Sequence, residues 1–270
     1  METSKLTKEK IKEYLKAGKR FDDRKLEDYR EIIIETGISN KAEGSARVRF
    51  GKTEVIAGVK MDVMTPFSDH PDEGVLITSA ELLPSSSSKY ESGPPKIEAI
   101  EMARIVDRGV RESKFIDVKK LCIKEGEKVW AIFIDLYSMN DDGNLLDAFA
   151  LAALVALKSA RIPKYDEKTG KAQYGEWTNN KIPLTKQMPL TMTIHKIGDK
   201  VFLDPSTEEE QTSEARITFS ISDAGMINAM QKGNDTAIDI KDFNKIVDLV
   251  EKKWKDLYPK LGKLIEEKTK

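Results

Sequence analysis

KAEGSARVRFGKTEVIAGVKMDV, residues 41–63, is the stretch from which the fold can be read. Ala46 to Phe50 and Val55 to Val63 are runs rich in apolar and β-branched residues, whereas Lys41–Gly44 and Gly51-Lys52 carry the polar and glycine chemistry of turns. Upstream, Ile32-Ile33-Ile34 ahead of Gly37 has the same texture, so residues 31–63 read as short strands joined by turns. Arg47 and Arg49 alternate with apolar neighbours and therefore share one face of their strand. That face either extends a basic track or pairs with acids.

Outward from this block, strands and helices alternate. Val75 to Leu83 is another apolar run, followed by a Pro/Ser-rich loop from Pro84 to Pro95. Beyond Pro94-Pro95, Ile97, Ile100, Met102-Ala103, Val106 and Val110 recur at helical spacing, which predicts a helix ending before Phe115. Lys128 to Tyr137 is a buried-strand pattern, and Leu145 to Ala160 is rich in Ala and Leu almost all round, as expected of a helix buried between layers. Leu190–Ile197 and Lys200–Leu203 flank Gly198-Asp199, a two-residue hairpin signal. Ile217–Ile221 adds a strand, and Ile240–Tyr258 reads as a closing amphipathic helix. At the other end, Lys5 to Ala17 forms a short amphipathic helix with Thr7 as its N-cap and Gly18 closing it. The fold class is therefore α+β, of two-layer α/β type, in two β-plus-helix halves. The expected divisions are an N-terminal helix packed on the core (1–19), a first unit (20–185) and a second β-α half with the C-terminal helix (186–270).

At 270 residues and 39% hydrophobic content the chain can bury a sizeable core. It has no apolar run near the roughly 20 residues of a membrane span, no apolar leader in METSKLTKEK, and a single cysteine, Cys122. A soluble, cytoplasmic protein without a membrane partner is expected. The 45 basic and 46 acidic residues balance, which excludes coating nucleic acid by bulk charge and leaves only a local basic patch. His70 and His195 are too few for a catalytic or metal-binding histidine cluster, and each is expected to be a surface or hydrogen-bonded histidine.

Three segments in a fixed order carry a resemblance: Arg20-Phe21-Asp22-Asp23-Arg24, Lys41-Ala42-Glu43-Gly44-Ser45, and Phe50-Gly51-Lys52-Thr53-Glu54-Val55. Together they resemble the opening of RNase PH-family phosphorolytic ribonucleases, and the likeness runs from about Arg20 to the last helix. It implies the RNase PH fold, related to the ribosomal protein S5 domain 2-like fold, and a six-membered ring around a central pore. Glu101 to Glu112 and Asp204 to Glu210 are similar to the signatures of the non-catalytic ring subunit of archaeal exosomes.

Departures from the active family pattern carry further information. Phosphorolysis needs an anion cradle beside acids that assist transfer or hold a metal ion. Where active relatives have a Gly-Gly-Thr-Arg-like turn, this chain has Asp142-Gly143-Asn144-Leu145-Leu146-Asp147, so leucines replace the hydroxyl and the guanidinium. Gly143, Asn144, Leu145 and Leu146 thus mark a degenerate phosphate site. In the acidic pair, Glu210 stands for the first acid and Arg216 replaces the second. Arginine stays protonated and has no acceptor, so it serves neither as a base nor as a metal ligand. By itself, a run such as Glu208–Glu210 ordinarily sits on a solvated acidic turn.

No catalytic or metal-binding residue is therefore expected on this chain. Arg104, Arg108 and Arg111, at i, i+4 and i+7, share one helical face and could follow successive phosphates. The alternative is an ordinary solvated face tied to Asp107 and Glu112. The resemblance implies that this face helps to hold single-stranded RNA in the active site of an adjacent catalytic RNase PH-like exosome subunit, in an alternating hetero-hexamer that also carries RNA-binding cap subunits. The chain itself would need no cofactor; inorganic phosphate, and Mg²⁺ where a metal is used, would belong to the partner. A rival reading, a self-sufficient phosphate-dependent 3′–5′ exoribonuclease, predicts an arginine in the phosphate turn and an aspartate at 216. A third, a small-molecule enzyme sharing only the fold, predicts a separate constellation of acids or bases.

Overall fold

The computed structural model describes residues 3–269. β1 (Ile32–Thr36), β2 (Gly44–Phe50) and β3 (Thr53–Met64) form an antiparallel meander. Along β3 every second residue, Val55, Ala57, Val59 and Met61, is buried, the two-residue period of a strand with one face on the core. β4 (Val75–Leu82), α2 (Ile97–Glu112) and β6 (Lys128–Asn140) follow as a crossover: β4 and β6 are parallel, with the helix between them in sequence. The sheet order is β1-β2-β3-β6-β4, with the short β5 (Cys122–Lys124) also paired to β6.

The second sheet is wholly antiparallel, β10-β9-β11-β12, built from β9 (Leu190–Ile197), β10 (Lys200–Leu203), β11 (Ala215–Ile221) and β12 (Ile227–Gly233). α3 (Leu145–Ser159) touches β2 and β3 of the first sheet and β9 of the second. Every residue from Leu145 to Leu157 is buried, because contact on several sides removes any need for a polar stripe. α2 likewise meets both β4 and β12. The core is thus continuous between the two β-α halves.

The hairpin at Gly198-Asp199 forms as its sequence predicts, with Lys200 opposite Ile197. Two helix boundaries differ from expectation. α1 (Lys5–Lys16) is capped by Ser4, whose Oγ accepts from the Thr7 amide at 3.1 Å, so Thr7 lies inside the first turn. α5 (Ile240–Lys268) continues past Pro259 instead of ending at Tyr258. Leu261 and Ile265 extend its buried stripe, and their packing outweighs the hydrogen bond the proline removes.

Four elements lack a legible pattern. In the hairpin of β7 (Arg161–Asp166) and β8 (Lys171–Lys181) only Pro163 and Ala172 are buried and most of β8 is exposed, so no apolar alternation betrays it. β12 is an edge strand whose INAMQKG sequence is exposed or half-buried up to the buried Gly233. α4 (Thr207–Thr212) is too short for periodicity, although Ser206 and Glu209 form a capping box that would have located its start.

Candidate functional site

The glycine–asparagine turn before α3 is shaped by its backbone. Gly143 has φ +82°, and an added Cβ there would lie 2.5 Å from the Pro205 carbonyl oxygen. Asn144 follows in the left-handed region at φ 58° as the helix N-cap. Its side chain does not cap the helix; Nδ2 donates to Asp204 Oδ1 at 2.9 Å. Thr53 Oγ1 donates to the Gly143 carbonyl at 2.6 Å and Arg30 Nη2 to the same oxygen at 3.1 Å. The turn is therefore clamped by neighbouring segments. Leu145 and Leu146 point into the core.

Asp204 is a fully buried hub. It accepts from Arg24 Nη1 at 2.8 Å, from the Arg30 amide at 2.7 Å, and from Arg30 Nε and Nη2 at 2.9 and 2.7 Å. Burial alone would raise its carboxyl pKa, but the Arg30 hydrogen bonds and charge outweigh burial and hold it below its ordinary value. Beside it, the buried Arg20 grips Glu209 through Nε at 2.9 Å and through Nη2, and donates to the carbonyls of Leu203 and Asp204. The segments Arg20–Arg24 and Asp204–Glu210 thus meet as one ionic clasp.

This geometry corrects the reading of Glu208–Glu210 as a solvated turn. Only Glu208 is exposed; Glu209 is buried against Arg20, and Glu210 is half-buried. Burial, followed by the Asp141 charge, raises the Glu210 carboxyl to about 7, while Lys89, Arg216 and the Asn144 backbone N–H act in the opposite sense. Glu210 therefore lies beside the backbone of the turn before α3. Asp141 is tied by Lys89 Nζ and Tyr90 Oη, both at 2.8 Å. Asp147 lies deeper, accepting from Thr193 Oγ1 at 2.7 Å and Tyr29 Oη at 3.1 Å, and burial raises it to about 6.

Arg216 lies on β11 opposite His195 of β9 and Gly233 of β12. Its Nη2 meets Glu101 Oε2 at 2.8 Å, which joins β11 to the arginine-bearing helix α2. On that helix the three arginines separate. Arg111 is bound: Nε reaches Asp107 at 3.0 Å, and Nη2 donates to the Leu76 carbonyl at 3.0 Å. Arg104 and Arg108 are exposed and form no ion pair among the described residues. The three therefore do not act as one equivalent track.

Arg47 and Arg49 pair with Glu35 at 3.3 and 3.4 Å, and Arg47 also with Glu54 at 3.2 Å, so this face is internally compensated. His195 is buried with Nδ1 3.1 Å from Ser213 Oγ, and burial with the Arg216 charge lowers its pKa to about 3. His70 is exposed beside Glu73. Among the described residues no group of three or more His, Cys, Asp or Glu side chains could hold a metal ion, and no helix is long and apolar enough to cross a membrane.

Two β-α halves joined through a clamped turn and an acidic helix define the RNase PH class. Residues 28–163 match the 3′ exoribonuclease family, domain 1, and residues 187–252 match domain 2, so the chain belongs to this family. It is 44% identical over 253 residues to exosome complex component Rrp42 of Methanosarcina acetivorans, covering 93% of this chain and 92% of that protein. With the protein of the same name from Thermococcus gammatolerans it shares 42% identity over 255 residues, 93% and 92% of the two chains. A chain in the Archaeoglobus fulgidus exosome with RNA bound to the active site superposes with a TM-score of 0.86 at 37% identity, covering 94% of this chain and 97% of that one.

Proposed function

We propose that this chain is a ring subunit of an exosome, silent in phosphorolysis by itself, that grips RNA for an adjacent catalytic paralogue. The observation that carries the reading is the Arg216 guanidinium bound to Glu101, at the position where the resemblance to active relatives implies an acid. Leu145 and Leu146, buried at the first turn of α3, supply neither the hydroxyl nor the charge that a phosphate cradle requires. Glu210 adds a carboxyl group where inorganic phosphate would have to enter.

What remains is cationic and available. Arg104 and Arg108 lie one turn apart, exposed and without ion pairs, suited to phosphodiester oxygens and not to base edges. In this reading they hold single-stranded RNA while the paralogue supplies the phosphate site, the acids and any Mg²⁺. RNA-binding cap subunits complete the assembly, which acts in the cytoplasm. Positioning of this kind lowers a barrier without touching the reacting atoms. The testing experiment is an Arg104→Ala/Arg108→Ala double variant in the reconstituted ring. A large loss of RNA decay with intact assembly supports the proposal, and unimpaired decay contradicts it.

A further inference from the structure

We infer that Arg216 is a positioning residue for RNA binding: it sequesters the Glu101 carboxylate and thereby keeps Arg104 free for phosphate. This rests on the reading of Arg104 and Arg108 as the RNA-holding pair.

The same helix shows what happens to an arginine with an acid at helical spacing. Asp107, four residues before Arg111, takes its guanidinium at 3.0 Å, although that side chain stays half exposed. Glu101 stands three residues before Arg104, the other spacing at which helical side chains meet. Left alone, Glu101 would capture Arg104 as Asp107 captures Arg111, and its charge would repel an approaching phosphodiester. No Glu101–Arg104 pair forms among the described residues, because Glu101 is turned to Arg216, 2.8 Å away across the gap between α2 and β11.

Arg216 is built for this contact. It sits on a strand paired on both sides, and only 15% of its side chain is exposed. Its cross-strand partner Gly233 leaves the necessary space: a Cβ there would lie 2.6 Å from Arg216 Nε and 2.7 Å from Cζ. An acid at 216 would instead face Glu101 and Glu210 with like charge. The substitution that removes phosphorolytic chemistry from this chain thus also releases an arginine for RNA.

The test uses the ring reconstituted with its catalytic paralogue and a fluorescent single-stranded oligoadenylate as the RNA. Arg216→Met should raise KM by about threefold or more with little change in kcat, the size expected when contacting groups are coupled. Adding Glu101→Gln should restore KM, because no carboxylate then competes for Arg104. In an Arg104→Ala background Arg216→Met should have a smaller effect, because only the repulsion by the freed Glu101 remains. Gly233→Ala, which displaces the guanidinium without altering charge, is a second variant expected to raise KM in the same way. A KM unchanged in both Arg216→Met and Gly233→Ala overturns the inference, as does a loss that Glu101→Gln fails to rescue. Normal KM in Arg104→Ala/Arg108→Ala would instead reject the underlying RNA-binding reading.

Discussion

Arg30 and Asp204, 174 residues apart in sequence, meet in a two-point pair: Nε to Oδ2 at 2.9 Å and Nη2 to Oδ1 at 2.7 Å. The same guanidinium donates to the carbonyls of Asp142 and Gly143, so one side chain fixes both the turn before α3 and the start of the acidic segment. Arg20 and Arg24 reach the same region through Glu209 and Asp204. Two of the segments that make the chain recognisable, Arg20–Arg24 and Asp204–Glu210, are therefore joined as a structural clasp.

Asp204→Ala removes one carboxylate from a buried network and leaves Arg24, Arg30 and Asn144 Nδ2 without that acceptor. Breaking a buried pair from one side costs about 3–5 kcal/mol. Urea unfolding of the isolated variant should show a loss of this order, and a loss under about 1 kcal/mol contradicts the clasp.

Among the described residues Arg104 and Arg108 form no ion pair, whereas Arg111 is held by Asp107 and the Leu76 carbonyl. Each phosphate contact with single-stranded RNA contributes about 0.7 to the slope of log affinity against log salt. Fluorescence anisotropy of the assembled ring should show that slope reduced by about 0.7 for each of Arg104→Ala and Arg108→Ala. Arg111→Ala should leave it unchanged; three equal reductions would mean that the Asp107 pair opens when RNA binds.

His195 is held neutral, its pKa lowered to about 3 by burial and then by Arg216, while the unfolded chain restores the ordinary value of 6.5. A depressed pKa contributes stability that is complete above pH 6.5 and is lost as pH falls toward 3. The urea midpoint of the wild type relative to His195→Leu should therefore be constant above pH 6.5 and shift against the wild type below it. A difference that stays constant down to pH 4 would show that His195 protonates equally in both states, so that burial does not lower its pKa.

Restoring an acid at 216 should not restore chemistry. Arg216→Asp still has Leu145 and Leu146 in place of the cradle and sets a new carboxylate against Glu101 and Glu210. Chromatography of products from the isolated variant with RNA and phosphate should show no nucleoside diphosphate. Its release would locate the missing function at position 216 alone.

Much of the architecture was legible because burial leaves a period in sequence. β3 shows its two-residue alternation, α3 its all-round apolar surface, and the Gly198-Asp199 hairpin its turn chemistry. The β7–β8 hairpin stayed hidden because an exposed ribbon buries almost nothing that could impose a pattern. At the site, the shared face of Arg104, Arg108 and Arg111 follows from helical spacing, but the separation of Arg111 depends on which acid and which carbonyl lie within reach. The Arg216–Glu101 pair joins residues 115 positions apart and left no local signal, though the arginine itself was conspicuous in an acidic pattern. Glu209 was likewise unreadable as a buried residue until Arg20, 189 positions away, was seen against it.

Phosphate-dependent decay of single-stranded RNA by the purified chain, alone and then mixed with its catalytic paralogue, tests the central claim most directly. The account predicts no nucleoside diphosphate from the chain alone and rapid release from the mixture, depressed by about tenfold or more when Arg104 and Arg108 are both alanine, as expected for two lost charge-assisted contacts. Nucleoside diphosphate released by the pure chain would contradict it.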